Sequence, residues 1–376
     1  MRQPPNGRPG YEAMAPRSLQ AWPESDRFDA TPHPRETYGF FGNAEAERAL
    51  LLSCFAGRLP HAFILCGPPG IGKATLAWRL ARFLLANPNP SLIPHAERKG
   101  LLVPETHLVS RQIAALSHPD LVLLRREWNP DRKKHRTQIQ VDDVRRAIHM
   151  FQQAAGSGGF RICVVDCADD LNTESANALL KIVEEPPPRS LFLFIAHQPG
   201  RLPVTLRSRC RKIHLQPLRP EDICNILDAL GPPWRDASEG ERRAAVARAQ
   251  GSIHRALRLL DGEQRLFDSE LESLLDELPH IEWSKVYALA DKIAAPGNGK
   301  DYDSTLALID EWLDGKVRLA AQDVPLNYAR RLAPYAEVWE NLAAAARETE
   351  IFNLDKRAFA ISLFADLAAA ARAPSS

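Results

Sequence analysis

No apolar run in the sequence approaches the roughly 20 residues that span a bilayer. The N-terminus also lacks the basic, apolar and small-residue sections of a secretory signal peptide. With 48 basic and 47 acidic residues the net charge is only +1, so no global field favours nucleic acid or an anionic membrane. These absences predict a cytoplasmic protein with no membrane partner, whose contacts with nucleic acid would have to be local.

Cysteine is scarce, with six residues and none between Cys66 and Cys163. Zinc modules need paired cysteines or flanking histidines at short spacing. Cys163 and Cys167 form one such pair, but no second pair or flanking histidine completes the pattern. We therefore expect reduced thiols, no zinc and no metal site.

A glycine-rich loop organises the rest of the chain. It follows an apolar run at residues 61–66, short enough for a buried strand, and precedes a helical pattern at residues 76–85. Strand, glycine-rich loop and helix form the setting of a P-loop, whose backbone N–H groups and helix N-terminus bind phosphates. Glycines curl the backbone in such a loop, and a lysine reaches the β- and γ-phosphates; here these are Gly67, Gly70, Gly72 and Lys73.

The loop departs from the motif at one position, because Ala74 stands where a serine or threonine binds Mg²⁺. A methyl group cannot ligate a metal, so the Mg²⁺ site is predicted to be degenerate, with Thr75 a partial substitute. The apolar run at residues 160–166 ends in Asp166, the Walker B position that helps to hold Mg²⁺. The predicted site for ATP or ADP therefore contains Gly67, Gly70, Gly72, Lys73, Ala74, Thr75 and Asp166, and whether it binds nucleotide stays open.

Two further motifs carry a resemblance to a known family. The run Asn-Ala-Leu-Leu-Lys at 177–181 leads to Glu-Glu-Pro-Pro at 184–187, and Ser-Arg-Cys follows at 208–210. Together these motifs resemble bacterial clamp-loader subunits, which are AAA+ proteins that place a ring-shaped sliding clamp on primed DNA. The resemblance covers about residues 38–260. It implies contacts with clamp-loader gamma/tau and delta subunits, with the sliding clamp through the complex and with primer–template DNA.

The resemblance also implies an α/β P-loop domain with a parallel sheet, followed by an all-helical lid and an all-helical C-terminal collar. Residues 1–37 are rich in proline and arginine without helical or strand period, and we expect a disordered tail there. The expected domains are residues 38–217 for the α/β domain, 218–262 for the lid and 263–376 for the oligomerising collar. In the collar, leucines at helical spacing predict a buried bundle core.

The clamp-loader family includes motor subunits that hydrolyse ATP and a delta-prime type that mostly does not. Besides Ala74, this chain departs from the motor pattern at three places. Cys167 replaces the glutamate that polarises the attacking water, and a thiol is a poor general base for that task. His197 replaces a small polar sensor residue, and the sensor arginine expected at His254 is displaced to Arg255. Together these departures predict a largely non-hydrolysing subunit.

Two alternatives remain at this stage. One is an ATP-hydrolysing motor subunit of the gamma/tau type, in which Thr75 takes over the metal. The other is a small-molecule kinase, because Walker motifs are shared by many NTPases.

Arg209 is the predicted catalytic residue. In the family this arginine projects into the ATP site of a neighbouring subunit, where a guanidinium stabilises the charge of the transferring phosphoryl group. The alternative is that Arg209 caps its own helix or pairs with a local carboxylate, and Arg207 is a second candidate for these roles. The basic stretch at residues 125–136 is either a solvated hairpin turn or a contact to the DNA backbone.

Overall fold

The computed structural model describes residues 23–28, 31–57, 59–131, 134–152, 158–295, 299–322 and 354–372, and parts of 334–349. Its centre is a five-stranded parallel sheet in the order β2-β5-β6-β1-β7. The strands of this sheet are β1 Ala62–Cys66, β2 Leu121–Leu124, β5 Arg161–Asp166, β6 Ser190–Ala196 and β7 Arg211–His214. A short antiparallel hairpin, β3 Trp128–Asn129 and β4 Lys134–His135, lies after β2.

The central strands are continuous apolar runs because helices cover both faces of the sheet. All residues of β1 and β6 are buried. The helices of this part are α1 Ala44–Phe55, α2 Lys73–Ala86, α3 Leu108–Ala114, α4 Val141–Gln152, α5 Thr173–Glu184 and α6 Val204–Arg207. Leu50, Leu76 and Leu80 pack on one face of the sheet, and Val144 and Leu179 pack on the other.

The register of the sheet brings three loops to one edge. Cys66, the last residue of β1, pairs with Ala196, the last residue of β6. Asp166, the last residue of β5, pairs with Ile195. The loops that follow β1, β5 and β6 therefore start side by side, at the carboxyl edge where open parallel sheets bind ligands.

Three helices follow the sheet and share a small apolar core. They are α7 Pro220–Leu230, α8 Glu239–Arg248 and α9 Ile253–Leu260. Leu227, Trp234 and Leu257 are buried in this core. All three lie within residues 218–262, where the sequence predicts an all-helical lid.

The C-terminal part is helical as far as it is described. It contains α10 Gly262–Asp276, α11 Trp283–Ala294, α12 Gly299–Gln322 and α13 Lys356–Arg372. The predicted stripes meet in one core that includes Leu271, Leu274, Ile309 and Leu313. Across the described residues, no helix combines the length and apolarity needed to cross a membrane.

The predicted fold class is confirmed, since a parallel sheet with a P-loop precedes helical segments. The prediction of a disordered tail at residues 1–37 is wrong for residues 23–28 and 31–37, which make defined contacts. Pro34–Glu36 form a 3₁₀ turn, and His33 and Arg35 are buried. Arg35 Nε donates to the Ala114 carbonyl at 2.9 Å, and Arg82 donates to the Arg35 carbonyl at 2.7 Å. Residues 1–22 and 29–30 lie outside the described residues.

Candidate nucleotide site

The P-loop lies between β1 and α2, as the sequence predicts. Gly72 is the N-cap residue of α2 and has a φ of 93°, a left-handed conformation that glycine adopts without steric cost. Gly67 and Gly70 also have positive φ angles. The loop thereby turns back at the carboxyl edge of the sheet and starts α2 at Lys73.

Lys73 is directed into its own loop. Its Nζ donates to the carbonyls of Gly67 at 2.6 Å and Pro68 at 2.5 Å, and the residue is only 3% exposed. Burial lowers the pKa of Lys73 to about 8, against the opposing effect of nearby acidic groups led by Cys167 and Asp166. The ammonium group of Lys73, which would contact phosphates, is therefore already hydrogen-bonded to carbonyls of its own loop.

Ala74 and Thr75 are the first residues after Lys73 on α2. Ala74 packs against the apolar core on that face of the sheet. Successive residues of an α-helix are rotated by about 100°, so the Thr75 hydroxyl does not take the position of a hydroxyl at residue 74. The helix geometry thus supports a degenerate Mg²⁺ site.

Asp166 is buried at the end of β5, with 8% of its surface exposed. Its Oδ2 has no hydrogen-bond partner among the described residues. Burial raises the pKa of Asp166 to about 8, and the Asp26 carboxylate adds to this rise while Lys73 opposes it. Burial therefore favours the protonated form of this carboxyl group.

The residue after Asp166 cannot serve as a base. The Cys167 thiol donates to Asp169 Oδ2 at 2.7 Å. Burial, followed by the charges of Asp169 and Asp170, raises the pKa of Cys167 well above its ordinary value. Cys167 is therefore a protonated thiol, and it does not polarise a water molecule as a glutamate does.

Asp169 links the loops after β5 and β6. Its carboxylate accepts hydrogen bonds from the backbone N–H groups of His197 at 2.6 Å and Gln198 at 2.9 Å. Candidate ligand atoms of Cys167, Asp169 and His197 lie within 4.8 Å of one another. Both carboxylate oxygens of Asp169 already accept hydrogen bonds, and the positive charge of Lys73 acts on His197. The contacts of these three residues therefore indicate a structural link between the two loops. Cys163 lies within β5 and is buried in the apolar core that contains Val144 and Leu179.

The lid helices contact the P-loop directly. Ser252 Oγ donates to the Pro69 carbonyl at 3.0 Å, and the Ile253 N–H donates to the Gly70 carbonyl at 2.8 Å. A Cβ at Gly70 would stand 2.9 Å from the His254 backbone nitrogen, so this approach requires glycine. The start of α9 is therefore one wall of the nucleotide cleft.

His254 faces this cleft. The neighbouring Arg255 does not take the place of a sensor arginine there. Arg255 lies 3.8 Å from Glu272 of α10. His197 and His254 keep a solvent-exposed edge in the cleft. The pKa of each ring is lowered, first by the loss of surrounding water and next by the Lys73 charge, so both rings are neutral at pH 7.

Residues 24–28, which we call the cleft strap, run along the carboxyl edge of the sheet. Asp26 lies 2.6 Å from Arg125 and 3.0 Å from His33, and Glu24 also pairs with Arg125 at 2.9 Å. The Phe28 ring stacks on His254 with centroids 5.3 Å apart. The sequence predicts a disordered tail at these residues, and the observed arrangement differs from that prediction. The signal in the sequence that could have indicated this arrangement was the two acidic residues, Glu24 and Asp26, upstream of the arginine-rich stretch at residues 125–136.

The basic stretch at 125–136 forms the predicted hairpin, and its arginines have acidic partners. Arg125 pairs with the cleft strap, Arg126 with Asp170 at 3.1 Å, and Arg136 with Glu127 at 3.6 Å. Residues 132–133 lie outside the described residues. These pairs weaken the case for a contact to DNA phosphates.

Arg209 lies away from the cleft, after the short helix α6. One guanidinium nitrogen donates to the Thr205 carbonyl at 2.8 Å, and the other lies 2.7 Å from Glu184 Oε1. Both side chains are 39% exposed. The alternative of a helix cap or local ion pair therefore describes Arg209 in the isolated chain, while its guanidinium stays accessible to solvent.

Comparisons with known proteins fit this architecture. A family model described as DNA polymerase III, delta subunit, matches residues 42–219. DNA polymerase III subunit delta' of Escherichia coli is 29% identical over 248 residues, which cover 66% of this chain and 69% of that protein. The corresponding subunit of Pseudomonas aeruginosa is 36% identical over 150 residues, covering 40% and 41%. DNA polymerase III subunit tau of Escherichia coli is 28% identical over 274 residues, covering 68% and 40%.

The chain thus spans about two fifths of the length of two of these three relatives. Among solved structures, a gamma subunit-related protein of Thermotoga maritima has 12% identity and a TM-score of 0.40, covering 87% of this chain and all of that one. A RuvB structure from the same organism has a TM-score of 0.37 at 17% identity, covering 65% and 67%. Both scores are below 0.5, so the fold is assigned from the sheet topology alone.

Proposed function

The chain belongs to the clamp-loader AAA+ family, and on that premise we propose that it is a delta-prime-type subunit of a replicative clamp loader that does not hydrolyse ATP itself. The observation that carries the proposal is the Cys167 thiol at the position of the catalytic base. Its proton is bonded to Asp169 and its pKa is raised. Ala74 at the metal position and His197 at the sensor position support the same conclusion.

The proposed contribution of the chain to catalysis is Arg209, acting in the ATP site of a neighbouring subunit. An exposed ion pair contributes only about 0–1 kcal/mol, so the phosphates of a neighbour's nucleotide can replace Glu184 as the partner of Arg209. A trans-acting arginine is worth roughly 10³–10⁵ in rate where it has been studied. Arg209 would act in this way without a hydrolytic site in its own subunit.

The proposed partners are clamp-loader gamma/tau and delta subunits, the sliding clamp through the complex, and primer–template DNA. In the chain's own cleft we propose ATP or ADP held without turnover. We further propose that the Mg²⁺ site is degenerate and that no zinc is bound. Hydrogen bonds from the lid to the Pro69 and Gly70 carbonyls connect two walls of this cleft in the isolated chain, and they support this proposal.

The test is ATP turnover by the reconstituted loader, stimulated by clamp and DNA, with the wild-type chain or Arg209→Ala. Arg201→Ala, an exposed arginine at the start of the same loop, is the matched control. We expect Arg209→Ala to lower turnover by about 10³-fold while the complex assembles normally, and we expect Arg201→Ala to have no effect. Equal turnover with Arg209→Ala in an intact complex would overturn the trans role.

An ATP-hydrolysing motor subunit is a second candidate, because subunit tau of Escherichia coli matches 68% of this chain. The purified chain alone separates the two candidates. Turnover that Lys73→Ala abolishes would establish the motor function, whereas an inert chain that still supports the loader agrees with the first proposal.

A further inference from the structure

We propose that the cleft strap, residues 24–28, closes the nucleotide cleft and has to move aside before the phosphates of a nucleoside di- or triphosphate contact the P-loop. The inference rests on the proposed binding of ATP or ADP in the chain's own cleft, and it does not depend on a role in a clamp loader. It rests on where the two ends of the strap are held, and on how differently they are held.

One end of the strap lies beside the Walker B carboxyl group. Asp26 is bonded to Arg125, and Arg125 directly follows β2. Because Leu124 pairs with Val165 in the sheet, Arg125 stands next to Asp166 at the carboxyl edge. The Asp26 charge accordingly acts on Asp166. Asp26 thus lies at the sheet wall of the cleft.

The other end of the strap lies on the lid wall. Phe28 stacks on His254, whose backbone nitrogen is in close approach to Gly70 of the P-loop. The Lys73 charge acts on the His254 ring, so this ring is near the group that would contact phosphates. Only Arg27 separates Asp26 from Phe28, so the segment from Asp26 to Phe28 bridges the two walls of the cleft.

The two ends differ in strength, which indicates the direction of opening. The Asp26 side chain is 3% exposed and lies 2.6 Å from Arg125 and 3.0 Å from His33. Phe28 is half-buried and contacts the lid through its ring. We expect the Phe28 end to leave the lid while the Asp26 end stays in place. The strap would then open as a flap at one edge of the cleft.

The test is binding of ADP to the full chain by calorimetry, with wild type and Phe28→Ala. Affinity falls in proportion to the fraction of open molecules, so removing the Phe28 contact should tighten ADP binding by about tenfold. Tyr287→Ala, which removes a half-exposed aromatic ring on α11 far along the chain, should leave the affinity unchanged. Adding Lys73→Ala to Phe28→Ala should abolish the gain and so assign it to the P-loop.

Amide hydrogen exchange in the wild-type chain gives a second readout that needs no variant. Exchange across residues 24–28 should become faster when ADP is added, because the strap is displaced. Slower exchange, or weaker binding by Phe28→Ala, would mean that Phe28 is part of the binding wall and would overturn the proposal. Unchanged affinity, or no ADP binding by either form, would overturn it as well.

Discussion

The charged groups of the nucleotide cleft and those of the surface around Arg209 differ in how exposed they are to solvent. In the cleft, Lys73 and Asp169 have hydrogen-bond partners from the chain itself. Lys73 donates to loop carbonyls, and Asp169 accepts from two backbone amides and the Cys167 thiol. At the surface, Arg209 has one exposed carboxylate partner and one carbonyl.

This difference bears on which region is free to exchange partners. Breaking the contacts of a buried charge costs several kcal/mol, because the group left behind stays unpaired away from water. Breaking an exposed ion pair costs about 0–1 kcal/mol, since water solvates both groups. By this comparison, the contacts of Lys73 in the cleft cost more to break than those of Arg209 at the surface. The predictions below test each side of this comparison.

The largest effect is expected for Arg209→Lys in the reconstituted loader. Lysine keeps the positive charge but loses the planar fork that binds phosphate oxygens in pairs. We expect turnover to fall by about 10²-fold, less than for Arg209→Ala. Steady-state turnover at saturating ATP measures this, with assembly checked by size-exclusion chromatography. A lysine variant as active as wild type would show that a point charge suffices.

The next effect concerns the buried end of the cleft strap. Asp26→Ala leaves Arg125 and His33 without a shared partner in a buried position. We expect the free energy of unfolding to fall by about 3 kcal/mol in urea titration. Asp131→Ala, an exposed carboxylate on the hairpin turn, serves as the control and should change it by less than about 0.5 kcal/mol. Similar values for the two variants would contradict the contrast between buried and exposed charges.

A third prediction uses the pH dependence of Asp166. Its folded-state pKa is raised to about 8, whereas an unfolded aspartate loses its proton near pH 4. Between these values the native state binds more protons, so its stability falls as the pH rises from about 4 to about 8. Asp166→Asn cannot ionise, so its stability relative to wild type should increase as the pH rises from about 4 to about 8.

The advantage of Asp166→Asn should shrink as the pH approaches 4, where the carboxyl group is protonated in both states. Urea unfolding of the two proteins at pH 5, 6.5 and 8 measures this change. A constant difference across the range would show that Asp166 ionises in the folded protein, held as a carboxylate by Lys73.

The sequence predicts the elements of the cleft better than its contacts. The strand β1, the P-loop and α2 are correctly placed because glycines bound an apolar run and a helical pattern, and these signals are local. The same holds for Asp166 at the end of β5 and for the three lid helices. The four departures from the motor pattern were also visible, since each is a change of residue type at a known spacing.

The pairing of charges was not predictable from the sequence. Asp26 and Arg125 are 99 residues apart, and Asp169 accepts a hydrogen bond from a backbone N–H 28 residues away, that of His197. No periodicity indicates which acid contacts which base, so residues 24–37 were assigned to a disordered tail and Arg125 was considered for DNA. The structure brings the N-terminal segment to the carboxyl edge of the sheet, where Asp26 pairs with Arg125. Composition identified the charged groups, and only the topology identified their partners.

The smallest effect is expected for the partner of Arg209. Glu184→Ala should lower the free energy of unfolding by less than about 0.5 kcal/mol, because the ion pair is exposed. Turnover by the loader should stay the same or rise by less than about threefold, since Arg209 no longer has to leave a carboxylate. A double-mutant cycle with Arg209→Ala measures the coupling in both readouts. A coupling above about 2 kcal/mol in unfolding would mean that the pair is structural, and Arg209 would then be held as firmly as the groups of the cleft.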